Sequence, residues 1–450
     1  MNSIIGQGVS PSYQARYIDC LQYIEAYWDK VTVITPEDDP SKGWIGLPHP
    51  YLAPNTGRFP YQFYWDSKFI IDGILGTKYQ HMVPGIVANF AYMFDKLGIM
   101  PNFSNLAGIN RSQPPLFADM VLDEYQITQD KQLLKKHIEV AKQEYKRVWN
   151  YPETSLKEES IGGYHHKVPG QLLSRYGDRD AGYAHTAELE SGWDFTNRYG
   201  GHCNEYFPID LNAFLFKYEI DFIHAAEILG DHEEAKVWME KARQRKEEIN
   251  RLMWNEEKGY FFDYRYATGK QSNFVSLAGF TPLWAGLATH EQASRMMEML
   301  AQLETPYGVM ISTHESAVIE ADLSGIPEHF RSAVGDMMKQ KQWDYPNIWQ
   351  PLEYLTVLGL LRYGFIKEAK RIMEKSVQAH AALFRKYGTF QEKMNGETGE
   401  KTGSYHYSNQ EGFSWTNAVF YRYVQMLDAL ADLTPNTEIH TAPGMYLLNS

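Results

Sequence analysis

The chain has 450 residues, is 44% hydrophobic and carries a formal net charge of −13. So acidic a chain lacks the basic face that a phosphate backbone requires, which excludes nucleic acid as a partner. Its two cysteines cannot build a disulfide framework, and it has no run of about 18 apolar residues that could span a membrane.

In chain order, Tyr13, Tyr17, Leu21, Ile24 and Trp28 recur at steps of three and four, the spacing of one helix face. The same patterning predicts helices near 82–98, 129–149, 207–229, 232–253, 290–303, 352–363, 366–385 and 413–432. Gly230 and Gly364 fit helix stops between consecutive segments. An EAK…MEK frame recurs around Ala235 and Ala369, and EQASRMME falls into it at Ala293. Repeated helical hairpins would bury one face against their neighbours, although Glu, Ala, Lys and Met are also simply good helix formers. No Pro/Ser-rich linker interrupts the pattern, so residues 1–450 are expected to form one domain. The N-terminus, MNSIIGQGVSPSYQ, has no basic start and no sustained apolar run, so a cytoplasmic protein is expected.

Between the helices lie long polar or glycine-rich loops at 36–62, 99–113, 153–192, 304–347 and 387–412. Four Trp-Asp dipeptides occur, at 28–29, 65–66, 193–194 and 343–344. Their uneven spacing and the scarcity of strand patterning exclude propeller blades, which repeat every 40–45 residues or so. The sequence shows no metal, phosphate or serine-nucleophile motif, so neither metal nor cofactor is expected. His165-His166 is expected to be a surface pair. In ESGWDFTNR, Trp193 and Phe195 flank Asp194 and can desolvate its carboxyl, which raises a carboxyl pKa toward that of a general acid. Composition alone favours a structural Asp194, and it reads Glu392, Glu397 and Glu400 as solvent-facing.

Five segments, taken together, resemble one family. PNTGRFPYQFYWDSKF at 54–69 is similar to the first signature of the trehalases, and QWDYPNIWQP at 342–351 to the second. PNFSNLAGINRSQPP at 101–115, ESGWDFTNR at 190–198 and NQEGFSWTNAV at 409–419 resemble three further family segments, in family order. The resemblance implies an all-α (α/α)6 toroid with long site-forming loops and minor β-hairpins. It also implies an inverting glycoside hydrolase that acts on a small carbohydrate.

By the same resemblance, Asp194 takes the general acid position and Glu392, in QEKMNGETG, the general base position, with Glu411 as its competitor. Arg58, Asp66, Asn102, Arg111 and Gln113 would hold sugar hydroxyls, and Phe59, Trp65, Trp349 and Trp415 would form walls. The chain departs from the trehalase pattern at Tyr61, Phe63, Ile348, Gln350 and His406. It also lacks the Arg-Pro-Glu-Ser stretch expected after Arg175-Tyr176. Trehalose is therefore the first substrate to consider. Glucosylglycerate or mannosylglycerate, whose carboxylate Arg175, Arg179 or Lys167 could meet, is the alternative, with another α-glucosidase or a non-catalytic sugar-binding toroid beyond it. The oligomeric state has no signature in the sequence.

Overall fold

The computed structural model describes residues 12–150, 166–177, 184–317, 328, 341–403 and 408–431. Arg179, His165 and His406 lie outside the described residues. The helices that build the fold are α1 (Ile18–Val31), α2 (Tyr64–Ile74), α3 (Val83–Leu97), α4 (Phe117–Thr128), α5 (Lys131–Glu144) and α6 (Ile209–Leu229). They continue as α7 (His232–Met253), α8 (Thr281–Ala285), α9 (His290–Arg295), α10 (Met297–Leu303), α11 (Gln350–Arg362), α12 (Ile366–Tyr387) and α13 (Ser414–Ala431).

Six of them, α2, α4, α6, α8, α11 and α13, touch in that order, and α13 returns to α2. That contact order closes an inner ring. The alternating helices pack outside it, giving a toroid of six helical hairpins. Ring closure depends on a close approach: a Cβ on Gly73 of α2 would stand 2.3 Å from the Cβ of Ala418 on α13. Among the described residues the strands are two residues long and form four pairs and one three-stranded sheet, and no helix is long and apolar enough to cross a membrane.

The two rings have different sequence character because they meet different surroundings. Outer helices face water on one side, so α7 and α12 alternate buried and charged positions. The EAK frame belongs to this ring: Ala235, Ala293 and Ala369 sit in α7, α9 and α12, and all three are buried. Inner helices are covered all round. Every residue of α2 is buried, and so are the first eight of α4. A segment without a polar face has only a weak helical period: the short inner helices α2, α4 and α8 do not stand out in the sequence, whereas the inner helices α6, α11 and α13 do. Gly230 and Gly364 both take left-handed φ angles just past helix ends, as their positions in the sequence led one to expect.

The inner ring also buries charge. The Lys68 ammonium on α2 lies 2.7 Å from Asp72, 2.9 Å from Asp119 and 2.6 Å from Asp123. Lys217 on α6 reaches the other oxygen of Asp119 at 2.6 Å. Such ions persist in a core only when paired.

Candidate active site

Each long loop that leads from an outer helix to an inner one ends near an inner-helix N-terminus. Trp65 and Asp66 are in the first turn of α2, Gln113 lies just before α4, Trp349 precedes α11, and Trp415 is in the first turn of α13. These N-termini therefore gather around one cavity. It is lined by Phe59, Trp65, Asp66, Gln113, Asp194, Glu392 and Trp415, together with Pro54, Phe63, Gly192, Trp343 and Phe413. Three carboxyl groups and a set of aromatic rings, drawn from separate stretches of sequence, thus share one space.

The Asp194 loop is fixed on both sides. Glu188 Oε1 accepts hydrogen bonds from the backbone N–H groups of Phe195 (3.0 Å) and Thr196 (3.3 Å). Asp344 accepts from Thr196 Oγ1 (2.6 Å) and from the Asn197 N–H (2.8 Å). Arg198 is held by Asp210 and Asp263, each bidentate. These anchors maintain Phe195 at φ 63°, an uncommon conformation for a bulky residue. Burial pushes the Asp194 carboxyl up to about 7; Arg111 opposes the rise, and Glu188 and Glu392 add to it. The Asp344 carboxyl is likewise raised to about 7 by burial, against the pull of its Thr196 and Asn197 donors.

Glu392 approaches from the loop between α12 and α13 and is 1% exposed. Its backbone N–H donates to the Gln410 carbonyl at 2.9 Å, and its own carbonyl accepts from Trp415 Nε1 at 3.1 Å. Downstream, Asn395 pairs with Asn347 and Met394 with Ile348, which ties this loop to the one carrying Trp343. Glu411 is exposed and ion-paired with Lys401 at 2.5 Å; it does not line the cavity. Glu397 is exposed, as composition suggested, whereas Glu392 is not. Asp66 is raised well above the usual carboxylate range, first by burial and then by Glu392 and Asp194.

The remaining expected residues stand apart from the lining. Arg58 is exposed, with its guanidinium 5.7 Å from the centre of the Phe59 ring. Asn102 is buried and donates through Nδ2 to the Ser112 carbonyl at 2.7 Å. Arg111 donates to Asn110 at 2.7 Å and is near enough to Asp194 to oppose its rise. Arg175 donates to the Asn204 carbonyl at 2.9 Å and to the Tyr266 hydroxyl. Lys167 donates to the Leu172 carbonyl and to Asn150.

Two expectations need correction. Trp349 is a second layer and not a wall: Trp343 stacks on it at 3.8 Å and 5° and takes the cavity face itself. His166 is fully buried, against the expected surface position, because Glu190 offers its ring an oxygen at 2.7 Å. Phe63, Trp343 and Phe413 were not singled out in the sequence as lining residues, though each lies inside or beside one of the quoted motifs. Gly192 was legible only as part of its motif. Among the described residues no group of His, Cys, Asp and Glu is arranged to hold a metal ion.

The family model for trehalase matches residues 12–188 and 175–428. The chain belongs to the trehalase family. This trehalase-family protein is a glycosidase, and its substrate is a carbohydrate. It is similar to the neutral trehalase of Saccharomyces cerevisiae, with 25% identity over 90% of this chain and 79% of that one, at a TM-score of 0.69. A GH63 mannosylglycerate hydrolase from Thermus thermophilus, in complex with glucose, matches at 16% identity and a TM-score of 0.62. That match covers 90% of this chain and 99% of the other, and at such identity it shows the shared toroid alone.

Proposed function

We propose that this trehalase-family glycosidase is an inverting α-glycoside hydrolase that cleaves α,α-trehalose to two glucose molecules, with Asp194 as general acid and Glu392 as general base. The observation that carries this reading is the pair of buried carboxyls facing one cavity, one of them raised to about 7 by burial. Below that pH, Asp194 holds the proton that the departing glycosidic oxygen needs. Glu392 takes a proton from a water on the opposite face of the sugar as that water attacks C1. The transition state resembles an oxocarbenium ion, and the product has the inverted anomeric configuration.

The other lining groups suit one sugar ring. The Gln113 side-chain oxygen is committed to the Trp65 N–H at 3.1 Å, so its NH2 end is what it can offer to a hydroxyl. Asp66 would also take hydroxyls. Phe59, Trp65, Trp343 and Trp415 supply apolar faces. We read residues 1–450 as one catalytic domain.

A second reading, a glucosylglycerate or mannosylglycerate hydrolase, is favoured by the absence of the Arg-Pro-Glu-Ser stretch. The test is a side-by-side assay of glucose or mannose release from trehalose, glucosylglycerate and mannosylglycerate, with the product anomer read by NMR. Turnover of trehalose with inversion supports the first reading. Turnover of a glycerate substrate alone replaces it with the second, and retention of configuration overturns both mechanisms.

A further inference from the structure

Lys393 is fully buried beside the candidate base, and the mechanism above does not use it. Its Nζ donates to Glu392 Oε2 at 2.8 Å. The same ammonium stands 4.8 Å from the centre of the Trp349 ring. That ring is itself fixed: its Nε1 donates to the Gln342 carbonyl at 2.8 Å, and Trp343 covers it at 3.8 Å. The Lys393 backbone is held through its carbonyl, which accepts from Asn409 Nδ2 at 3.0 Å. A column therefore runs from the cavity wall (Trp343) through Trp349 and Lys393 to the Glu392 carboxyl.

The charges around Glu392 explain why such a column is needed. Asp66 and Asp194 share its cavity, and both are raised partly by it. Arg111 acts on the Asp194 side. Glu411 and Lys401 neutralise one another on the outer face of the loop. Three carboxyls close together cannot all ionise without a nearby cation. A general base must be ionised while its partner acid keeps its proton, so the positive charge has to sit on the base side.

We propose that Lys393 is a positioning residue for the base: its ammonium, seated on Trp349, holds the Glu392 carboxylate ionised and in one orientation. This rests on the reading of Glu392 as the base. It also gives Trp349 a role that the cavity lining does not: the ring supports the ammonium through its face.

The experiment compares Lys393→Met and Lys393→Arg with the parent enzyme, measuring kcat and KM from about pH 4.5 to about pH 9 on whichever substrate the parent hydrolyses. In Lys393→Met, the acid limb of the kcat/KM profile is expected to move up by about one pH unit or more. Its alkaline limb should stay in place, and the loss should fall on kcat and not on KM. Lys393→Arg is expected to restore the parental acid limb. A Lys393→Met enzyme that is slower but keeps the parental acid limb overturns the proposal and leaves Lys393 a packing residue. If Lys393→Met does not fold, judged by circular dichroism and thermal melting, Lys393→Arg decides alone: an acid limb displaced upward there overturns the proposal, and a parental limb supports it. Failure of the underlying reading is seen separately, as substantial turnover by Glu392→Gln.

Discussion

Gly192 lies against the indole of Trp65: a Cβ on this glycine would stand 2.8 Å from Cζ2 of the ring, and its φ is +75°. The contact joins the loop that carries Asp194 to the helix that carries Asp66. Gly192→Ala would clash with the ring and force a side chain into a left-handed conformation. A stability loss of about 1–3 kcal/mol is expected. Because both affected segments line the cavity, kcat should fall with it. Urea denaturation and steady-state kinetics on one preparation check this, and unchanged stability would show that the loop relaxes freely.

Asp344 secures the other side of that loop through Thr196 and Asn197. Asp344→Ala removes both acceptors without touching the cavity lining. A small displacement of a reacting group costs on the order of 100-fold in rate. We expect kcat to fall by about that factor, with KM changed far less. An Asp344→Ala enzyme with parental kcat would mean that Glu188 and Arg198 alone hold the acid loop.

The raised Asp194 carboxyl has consequences for both catalysis and stability. Activity requires the protonated form, so the alkaline limb of the pH–rate profile should fall near pH 7. The sign for stability follows from linkage. A carboxyl raised in the folded state binds its proton more tightly there than in the unfolded chain. It therefore favours the fold below the unfolded value, and this contribution is lost as pH rises through about 7. Asp194→Asn should abolish turnover yet raise the melting temperature at about pH 8, with little change at about pH 4. An equal effect at both pH values would be incompatible with a raised carboxyl.

Glu392 and Glu411 give opposite expectations. Glu392→Ala should lose essentially all hydrolysis while remaining folded. Glu411→Gln, which breaks an exposed pair with Lys401, should change stability by less than about 1 kcal/mol. Its kcat should remain near the parental value, as kinetics on the two purified variants would show.

Within the inner ring, the Lys68 ammonium pairs with Asp72, Asp119 and Asp123. Lys68→Met leaves buried carboxyls without their cation, and a loss of about 3–5 kcal/mol is expected. Asp72 and Asp123 are already raised by burial, and without Lys68 they would rise further. Folded protein would then bind more protons than unfolded chain, so the deficit should grow with pH. Denaturation midpoints at about pH 5 and about pH 8 measure it.

The sequence by itself determined the family, the outer ring and three helices of the inner ring, α6, α11 and α13. Amphipathic helices advertise themselves because water on one side and protein on the other impose a period of about 3.6 residues. The break at Met296, between α9 and α10, was not visible because the apolar pattern continues across it. The motifs also brought forward Asp66, Gln113, Asp194, Glu392 and Trp415, since each carries a distinctive residue order. Of the four Trp-Asp pairs, three converge: Asp66 and Asp194 line the cavity, while Asp344 braces the acid loop. Trp28, by contrast, is buried in α1.

Tertiary structure alone decided the rest. The short inner helices α2, α4 and α8 have no outward face, so only a weak period marks them. Which of two stacked tryptophans meets the cavity depends on how the loops at 341–349 and 392–395 fold over each other; that order makes Trp343 the wall and Trp349 its support. Burial likewise separates Glu392 from Glu411, two similar residues in neighbouring polar sequence. Charge state follows solvent access and neighbouring charge, and both are properties of the assembled toroid that no local stretch of sequence contains.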